Sequence, residues 1–198
     1  DRWGSRGLGD VYKRQRYMIP RNKYLITPHG KEYKNTKNID GHSLIVNTSI
    51  EDVKYVNRVG VVVSSPKNSE IPNESLVVVH HNVFRTYLDM KGRQRKSNEY
   101  FRDEKYLVGP ERIYMYNDGE GWKCTEGYVF VSPYDYIQDD SIYQSNEKEE
   151  EHMGVIKHSS LLPKGTRVGF TKNSEYEFEL GGEKMYRMKV NDICVKFT

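Results

Sequence analysis

The chain has 198 residues, of which 36% are apolar, 30% charged and 12% aromatic, and its mean hydropathy is −0.84. That balance excludes one large, deep core and leaves room for one medium domain or two small ones. No apolar run approaches the length of a membrane span and no signal-peptide pattern is present, so a soluble protein without membrane contact is expected. Cys124 and Cys194 stand far apart without metal-type spacing, and two buried or half-buried thiols of a reducing cytoplasm are expected.

The formal charge is +3 and the isoelectric point about 8.7, but the basic excess sits largely in the first residues. Asp10-Val11-Tyr12-Lys13-Arg14-Gln15 matches the translated end of a transposon used to prepare sequencing libraries, and Trp3 to Gly9 has no periodicity. Residues 1–15 are therefore expected to be a non-native artefact. Without their four Lys/Arg and two Asp, 27 basic residues face 26 acidic ones and the charge falls to +1. The electrostatic case for nucleic acid weakens accordingly.

Sixteen tyrosines and recurrent short runs of Val, Ile and Thr suit pleated, half-buried surfaces. Seven prolines and 16 glycines punctuate the chain about every eight residues, the spacing of a sandwich or barrel. In chain order, an extended stretch, Lys23 to Pro28, enters a long polar loop. Strands are expected at Val59–Val63 and Leu76–His80, joined by a Pro-containing turn. A hairpin follows at Phe101–Leu107, then Pro110-Glu111-Arg112 and a closing strand, Ile113–Tyr116. The same order begins again at Gly127–Pro133: a polar loop, Gly154-Val155-Ile156 in place of Gly60-Val61-Val62, a turn at Leu162–Gly165, and a strand at Thr166–Phe170. A hairpin around Gly181-Gly182 and a closing strand Ile193–Phe197 complete it. Alternation puts Ile193, Val195 and Phe197 on one face. Asn117–Gly121 is the expected linker, dividing the chain into units 16–119 and 121–198. Only Ile50–Val56 offers a short helix-like patch.

These residues carry a resemblance. Gly165 to Phe170, Glu177 to Lys184 and Asn191 to Phe197 resemble the C-terminal half of the GroES-type co-chaperonin family, with its Gly-Asp-Arg-Val strand, Asp-Gly hairpin and terminal Asp-Ile strand. Ser75–Val79, Phe101–Leu107 and Glu111–Ile113 resemble the same frame in the first unit. Thr166 stands where the family has Asp, and Asn73-Glu74-Ser75 where it has Val-Gly-Asp. Phe84 to Tyr100 is inserted. Two units in one chain resemble the plastid co-chaperonins, and some bacteriophages encode divergent members. The resemblance implies an all-β protein of two tandem small GroES-like barrels with long loops and little helix.

It also implies a function. Residues 29–48 occupy the position of the family's mobile loop, which binds a chaperonin through a short apolar segment; the insertion, 84–100, occupies that of the dome's roof. Within the loop, Gly41 precedes His42-Ser43 and the apolar run Leu44-Ile45-Val46. Gly41, Leu44, Ile45 and Val46 are thus the candidate chaperonin-binding residues, the alternative being an ordinary buried strand. The expected protein is a cytoplasmic co-chaperonin without cofactor, forming a homo-oligomeric ring that caps an ATP-dependent, GroEL-type chaperonin ring. A phage structural or assembly protein using the same modules without chaperonin stays open. The second unit's loop, with Ile142-Tyr143 between Asp139-Asp140 and the run Glu147 to Glu151, reads as a solvated acidic segment.

Other chemistry has less support. Arg85, Lys91, Arg93, Arg95 and Lys96 with Tyr87 could touch nucleic acid but read as a solvated loop. His80-His81, taken as strand neighbours, point to opposite faces and cannot share a metal ion. No nucleophile elbow, phosphate loop or Cys–His signature is present, so no catalytic residue is assigned and no enzyme is expected.

Overall fold

The computed structural model describes residues 18–34, 36–39, 42–45, 52–135 and 149–197. The N-terminal stretch 1–15, Gly41, Val46 and residues 139–148 lie outside them. Among the described residues the protein is all-β, with single 3-10 turns at Val53–Tyr55, Pro110–Arg112 and Val190–Asp192. Among the described residues no helix is long and apolar enough to cross a membrane.

The first half contains β1 (Tyr24–Pro28), β2 (Thr36–Ile39), β3 (His42–Ile45), β4 (Val59–Ser64), β5 (Leu76–Val79), β6 (Thr86–Leu88), β7 (Gln94–Lys96), β8 (Tyr100–Arg102), β9 (Lys105–Val108), β10 (Ile113–Asn117) and β11 (Trp122–Cys124). The second contains β12 (Tyr128–Asp135), β13 (Glu149–Ser159), β14 (Arg167–Phe170), β15 (Tyr176–Leu180), β16 (Glu183–Lys189) and β17 (Ile193–Phe197). One antiparallel sheet runs β8-β9-β1-β4-β5-β10-β11 and the other β15-β16-β12-β13-β14-β17. Six strands of each follow one order, and β11 is an addition to the first. β2–β3 and β6–β7 are separate two-stranded ribbons.

The correspondence extends to single residues. Ile26, Thr27 and Pro28 oppose Val62, Val61 and Gly60; Val131, Ser132 and Pro133 oppose Ile156, Val155 and Gly154. Gly60 in turn opposes Val77, and Gly154 opposes Val168. Ile26 pairs with Tyr106 on one side, as Val131 does with Tyr186. Even the irregularity of the closing strand repeats: the register slips by one between Ile113 and Met115, and again at its counterpart between Ile193 and Val195. The turn before β5 is closed by Val62 N–H to Ser75 O (3.0 Å) and Glu74 N–H to Val62 O (2.7 Å). Ile156, Thr166 and Gly165 repeat that pair at 2.9 and 2.8 Å.

Burial follows register. Tyr24, Ile26, Val62, Tyr106, Val108, Val77, Val79 and Ile113 share one apolar cluster. Their counterparts Val129, Val131, Ile156, Tyr186, Met188, Val168, Phe170 and Ile193 share another. Residues from β9 and β10, near opposite ends of the first ladder, meet in a single cluster, so that sheet must curl around its inner face. The ladders themselves are open at their edges. Gly60 and Gly154 sit where a Cβ would collide. At Gly60 it would lie 2.6 Å from Ile26 Cγ2 and 2.9 Å from Phe84 Cζ; at Gly154, 2.8 Å from the Ser132 carbonyl oxygen.

Two sequence expectations change. Residues 117–121 do not link two units but turn the β10–β11 hairpin: Asn117 Oδ1 accepts from Gly119 N–H at 2.8 Å and Gly121 N–H at 3.3 Å. The chain passes to the second sheet only after Cys124. Ile193, Val195 and Phe197 do not share a face, because the bulge at Cys194 reverses the pleat. Ile193 packs into the inner cluster while Val195 and Phe197 are exposed.

The sheets also pack on each other. The outer face of β5, β10 and β11 (Val78, Tyr114, Met115, Cys124) and that of β12, β15 and β16 (Phe130, Phe178, Met185) form a third buried cluster. Around it, the Arg58 guanidinium lies 5.2 Å from the Tyr176 and Phe178 rings, and Arg187 lies 4.5 Å from Tyr114.

Candidate functional site

The segment between β1 and β4 leaves the first sheet through a braced neck. Asn57 is buried; its Nδ2 donates to the carbonyls of His29 and Lys31, both at 2.9 Å, and its Oδ1 accepts from Val59 N–H at 3.0 Å. Asn57 N–H reaches Glu32 O at 2.7 Å, and Lys34 N–H reaches Tyr55 O at 2.8 Å. Tyr33 Oη accepts from Thr86 N–H at 2.8 Å, tying the neck to the start of β6. Tyr106 Oη donates to Glu32 Oε1 at 2.6 Å, and Lys96 pairs with the other carboxylate oxygen. Burial, and then the Glu32 carboxylate, push the Tyr106 hydroxyl far above the usual phenol range. One small polar side chain at the strand entrance thus holds both arms of a long excursion.

Beyond the neck the chain forms the β2–β3 ribbon. Thr36 opposes Ile45 and Lys37 opposes Leu44. Leu44 is 58% exposed and Ile45 62%. Large aliphatic side chains gain about 1.5–3 kcal/mol each from full burial; these two are left in water at adjacent positions. Of the four candidate residues, Leu44 and Ile45 are consecutive in β3 and therefore face opposite sides of this ribbon, while Gly41 and Val46 fall outside the described residues.

The insertion is a second ribbon, β6–β7, whose tip exposes Leu88 and Met90. Two of its basic residues are engaged within the ribbon, and Lys96 pairs with Glu32 of the neck. Arg93 and Arg95 both donate from Nε to Asp89 Oδ2, at 3.1 and 3.2 Å, and Asp89 Oδ1 accepts from Lys91 and Arg93 N–H. Hydrogen bonding, led by the Arg93 amide, holds the Asp89 carboxyl below its ordinary range. A cleft of about 200 Å³ beside this ribbon is lined by Asn82, Arg85, Glu99 and Arg112, where Arg112 already pairs with Glu99 at 2.7 Å.

His80 and His81 differ from expectation. β5 ends at Val79, so the two follow it in a turn rather than alternating along a strand, and their ring centroids are 4.1 Å apart. His80 Nδ1 accepts from Asn82 N–H at 3.0 Å, and His81 Nδ1 lies 2.9 Å from Tyr176 Oη. Burial lowers both imidazole pKa values, with nearby cations adding to it, and His81 falls to about 4. Among the described residues no three His, Cys, Asp or Glu side chains converge as a metal site. Cys124 is buried, which pushes its thiol up to about 12, but Cys194, at the bulge of β17, is exposed rather than buried or half-buried as the sequence suggested; neither is in a disulfide.

Sequence reasoning missed the inter-sheet cluster. Its one available signal was the unbroken run Val77-Val78-Val79, which is apolar on both faces and marks a strand covered on both sides. The chain matches no model of a known protein family and no curated protein sequence.

Proposed function

We propose that this protein is a co-chaperonin: a non-enzymatic binding protein of two tandem GroES-like barrels whose β2–β3 ribbon docks on an ATP-driven chaperonin ring. The observation that carries this is the exposed pair Leu44–Ile45, borne on a ribbon that pairs with neither main sheet and leaves through the Asn57 neck. In the family that the sequence resembles, a chaperonin-binding loop stands at this point of the chain. Two apolar anchors presented from a polar loop suit weak, reversible docking. Several loops held in one ring would convert weak contacts into stable capping. The nucleotide belongs to the partner, so the protein itself needs no cofactor.

A second reading, an assembly module that never meets a chaperonin, is favoured by the exposed apolar face of β17. Co-sedimentation with a GroEL-type ring separates the two. The co-chaperonin should pellet with the ring in the presence of ATP and remain in the supernatant without nucleotide. Failure to pellet under either condition would leave the assembly module.

A further inference from the structure

We infer that the cleft beside the β6–β7 ribbon binds a small monoanion, a carboxylate with a hydroxyl next to it. Two buried atoms carry the inference. Arg85 Nε and Asn82 Oδ1 have no hydrogen-bond partner among the described residues, and both side chains line this cleft. Six buried side-chain atoms in the described residues share that condition, and here a donor and an acceptor fall in one place. A buried polar group without a partner forfeits its hydration, so each such pair calls for an occupant that meets it. The one carboxylate in the lining cannot serve Arg85, because Glu99 Oε1 is already taken by Arg112 Nη1 at 2.7 Å.

The walls are held in place before any ligand arrives. Val83 and Phe84, between the two key residues, are fully buried in the inner cluster. Asn82 N–H donates to His80 Nδ1 at 3.0 Å and Val83 N–H to His80 O at 2.9 Å, which fixes one end. Thr86 N–H donates to Tyr33 Oη at 2.8 Å, which fixes the other. Across the cleft, Ser97 Oγ donates to the Val83 carbonyl and His80 N–H to the Arg112 carbonyl. A preformed site spares the cost of ordering it on binding. Charge and size then select the occupant. Arg85, Arg112 and Glu99 together leave one positive charge, which a monoanion balances and a dianion does not. His81 adds none at neutral pH, since burial, then His80, Arg58, Arg85 and Arg187, lower its pKa to about 4. The cleft holds about 200 Å³, too little for a drug-sized ligand. The Nε edge of a guanidinium matches a carboxylate, and a neighbouring hydroxyl supplies the proton that Asn82 Oδ1 lacks. This site is independent of the β2–β3 ribbon and of the proposed function.

The test is a titration of the full chain with sodium lactate at constant ionic strength, followed in 1H–15N correlation spectra. The Arg85 Nε–H and Asn82 amide peaks should move and saturate in the millimolar range. Propionate, which keeps the carboxylate and lacks the hydroxyl, should bind about threefold or more weakly, the size of one hydrogen bond. Arg85→Gln should weaken lactate binding about tenfold or more, as loss of a charge-assisted pair does. Its melting temperature should equal or exceed that of the native chain, because a buried unpaired donor is removed. Asn82→Ala should bring lactate and propionate to equal affinity. Three results would each overturn the proposal. The first is no saturable shift with lactate, which would leave water as the partner of both atoms. The second is equal binding of lactate and propionate by the native chain. The third is an Arg85→Gln variant that binds lactate as the native chain does, or that melts lower and so shows Arg85 serving the fold. None of these outcomes bears on chaperonin capture.

Discussion

The two repeats share strand order, register and even the bulge in the closing strand, yet they are not equally covered. Val83 and Phe84, which follow β5, belong to the first repeat's inner cluster, where all twelve buried members are 6% exposed or less. In the second repeat Tyr186 and Ile193 are only partly buried, and no equivalent of Phe84 is present in that cluster among the described residues. On the outer face Val78 and Met115 meet the second repeat, while Gly169 and Val195 meet water. The backbone pattern is thus set by turns and pairing that both copies keep, and the side chains on each face record what each copy packs against. A duplicated sheet tolerates this divergence because register depends on the inner face and the turns, not on both faces at once.

Breaking the better-covered core should have the largest effect. Phe84→Ala removes a fully buried ring packed 4.9 Å from Tyr106 and should cost about 3–5 kcal/mol in urea unfolding. A loss below about 1 kcal/mol would mean that the first core does not depend on this contribution. The matched glycines come next. Gly60→Ala drives a methyl into Ile26 and Phe84 and should cost about 2–3 kcal/mol. Gly154→Ala, which meets the Ser132 carbonyl and the edge of Val131, should cost about 1 kcal/mol. Equal losses at both would contradict the tighter packing of the first repeat.

A smaller change sharpens the comparison from the other side. Glu74 has φ +67°, the left-handed conformation that its counterpart Gly165 adopts at +86°. Glu74→Gly should therefore stabilise the protein by about 1 kcal/mol, and Gly165→Ala should destabilise it by a similar amount. Thermal melts of the two variants moving in the same direction would refute the equivalence.

The contact between the repeats should be sensitive to acid. His81, beside Tyr176 and Arg58, Arg85 and Arg187, has its pKa lowered to about 4 by burial and then by the neighbouring positive groups, against 6.5 for a free imidazole. Between those values the folded state binds fewer protons than the unfolded state. The stability tied to neutral His81 is present in full above pH 6.5 and is lost as the pH falls towards 4. Urea midpoints between pH 7 and 4.5 should fall less steeply for His81→Gln than for the native chain. Parallel slopes would show that this imidazole does not titrate with folding.

Much of this was legible in the sequence. Gly60 and Gly154, and the turns at Asp103-Glu104 and Gly181-Gly182, fix where strands approach and reverse, and each acts through local geometry. The bulge at Cys194 was not legible, because one unpaired residue exchanges the faces of Val195 and Phe197 without altering the alternation that precedes it. The turn at Asn117–Gly121 carries the composition of a linker, and only the pairing of Met115 with Cys124 identifies it as a hairpin. At the candidate site, the apolar pair Leu44–Ile45 stood out against a polar loop. Its bracing by Asn57, Tyr33 and Glu32 depends on residues far apart in sequence and left no local signal.

The central claim is that Leu44 and Ile45 serve a partner and not the protein's own core. Fully burying one of these side chains in a chaperonin groove would be worth about 1.5–3 kcal/mol per subunit, a factor of about 10 or more in affinity. The most direct measurement is to compare the melting temperature and the ATP-dependent chaperonin co-sedimentation of Leu44→Ser/Ile45→Ser with those of the native chain. The account predicts an unchanged melting temperature and lost capture; a lowered melting temperature with capture retained by the folded fraction would contradict it.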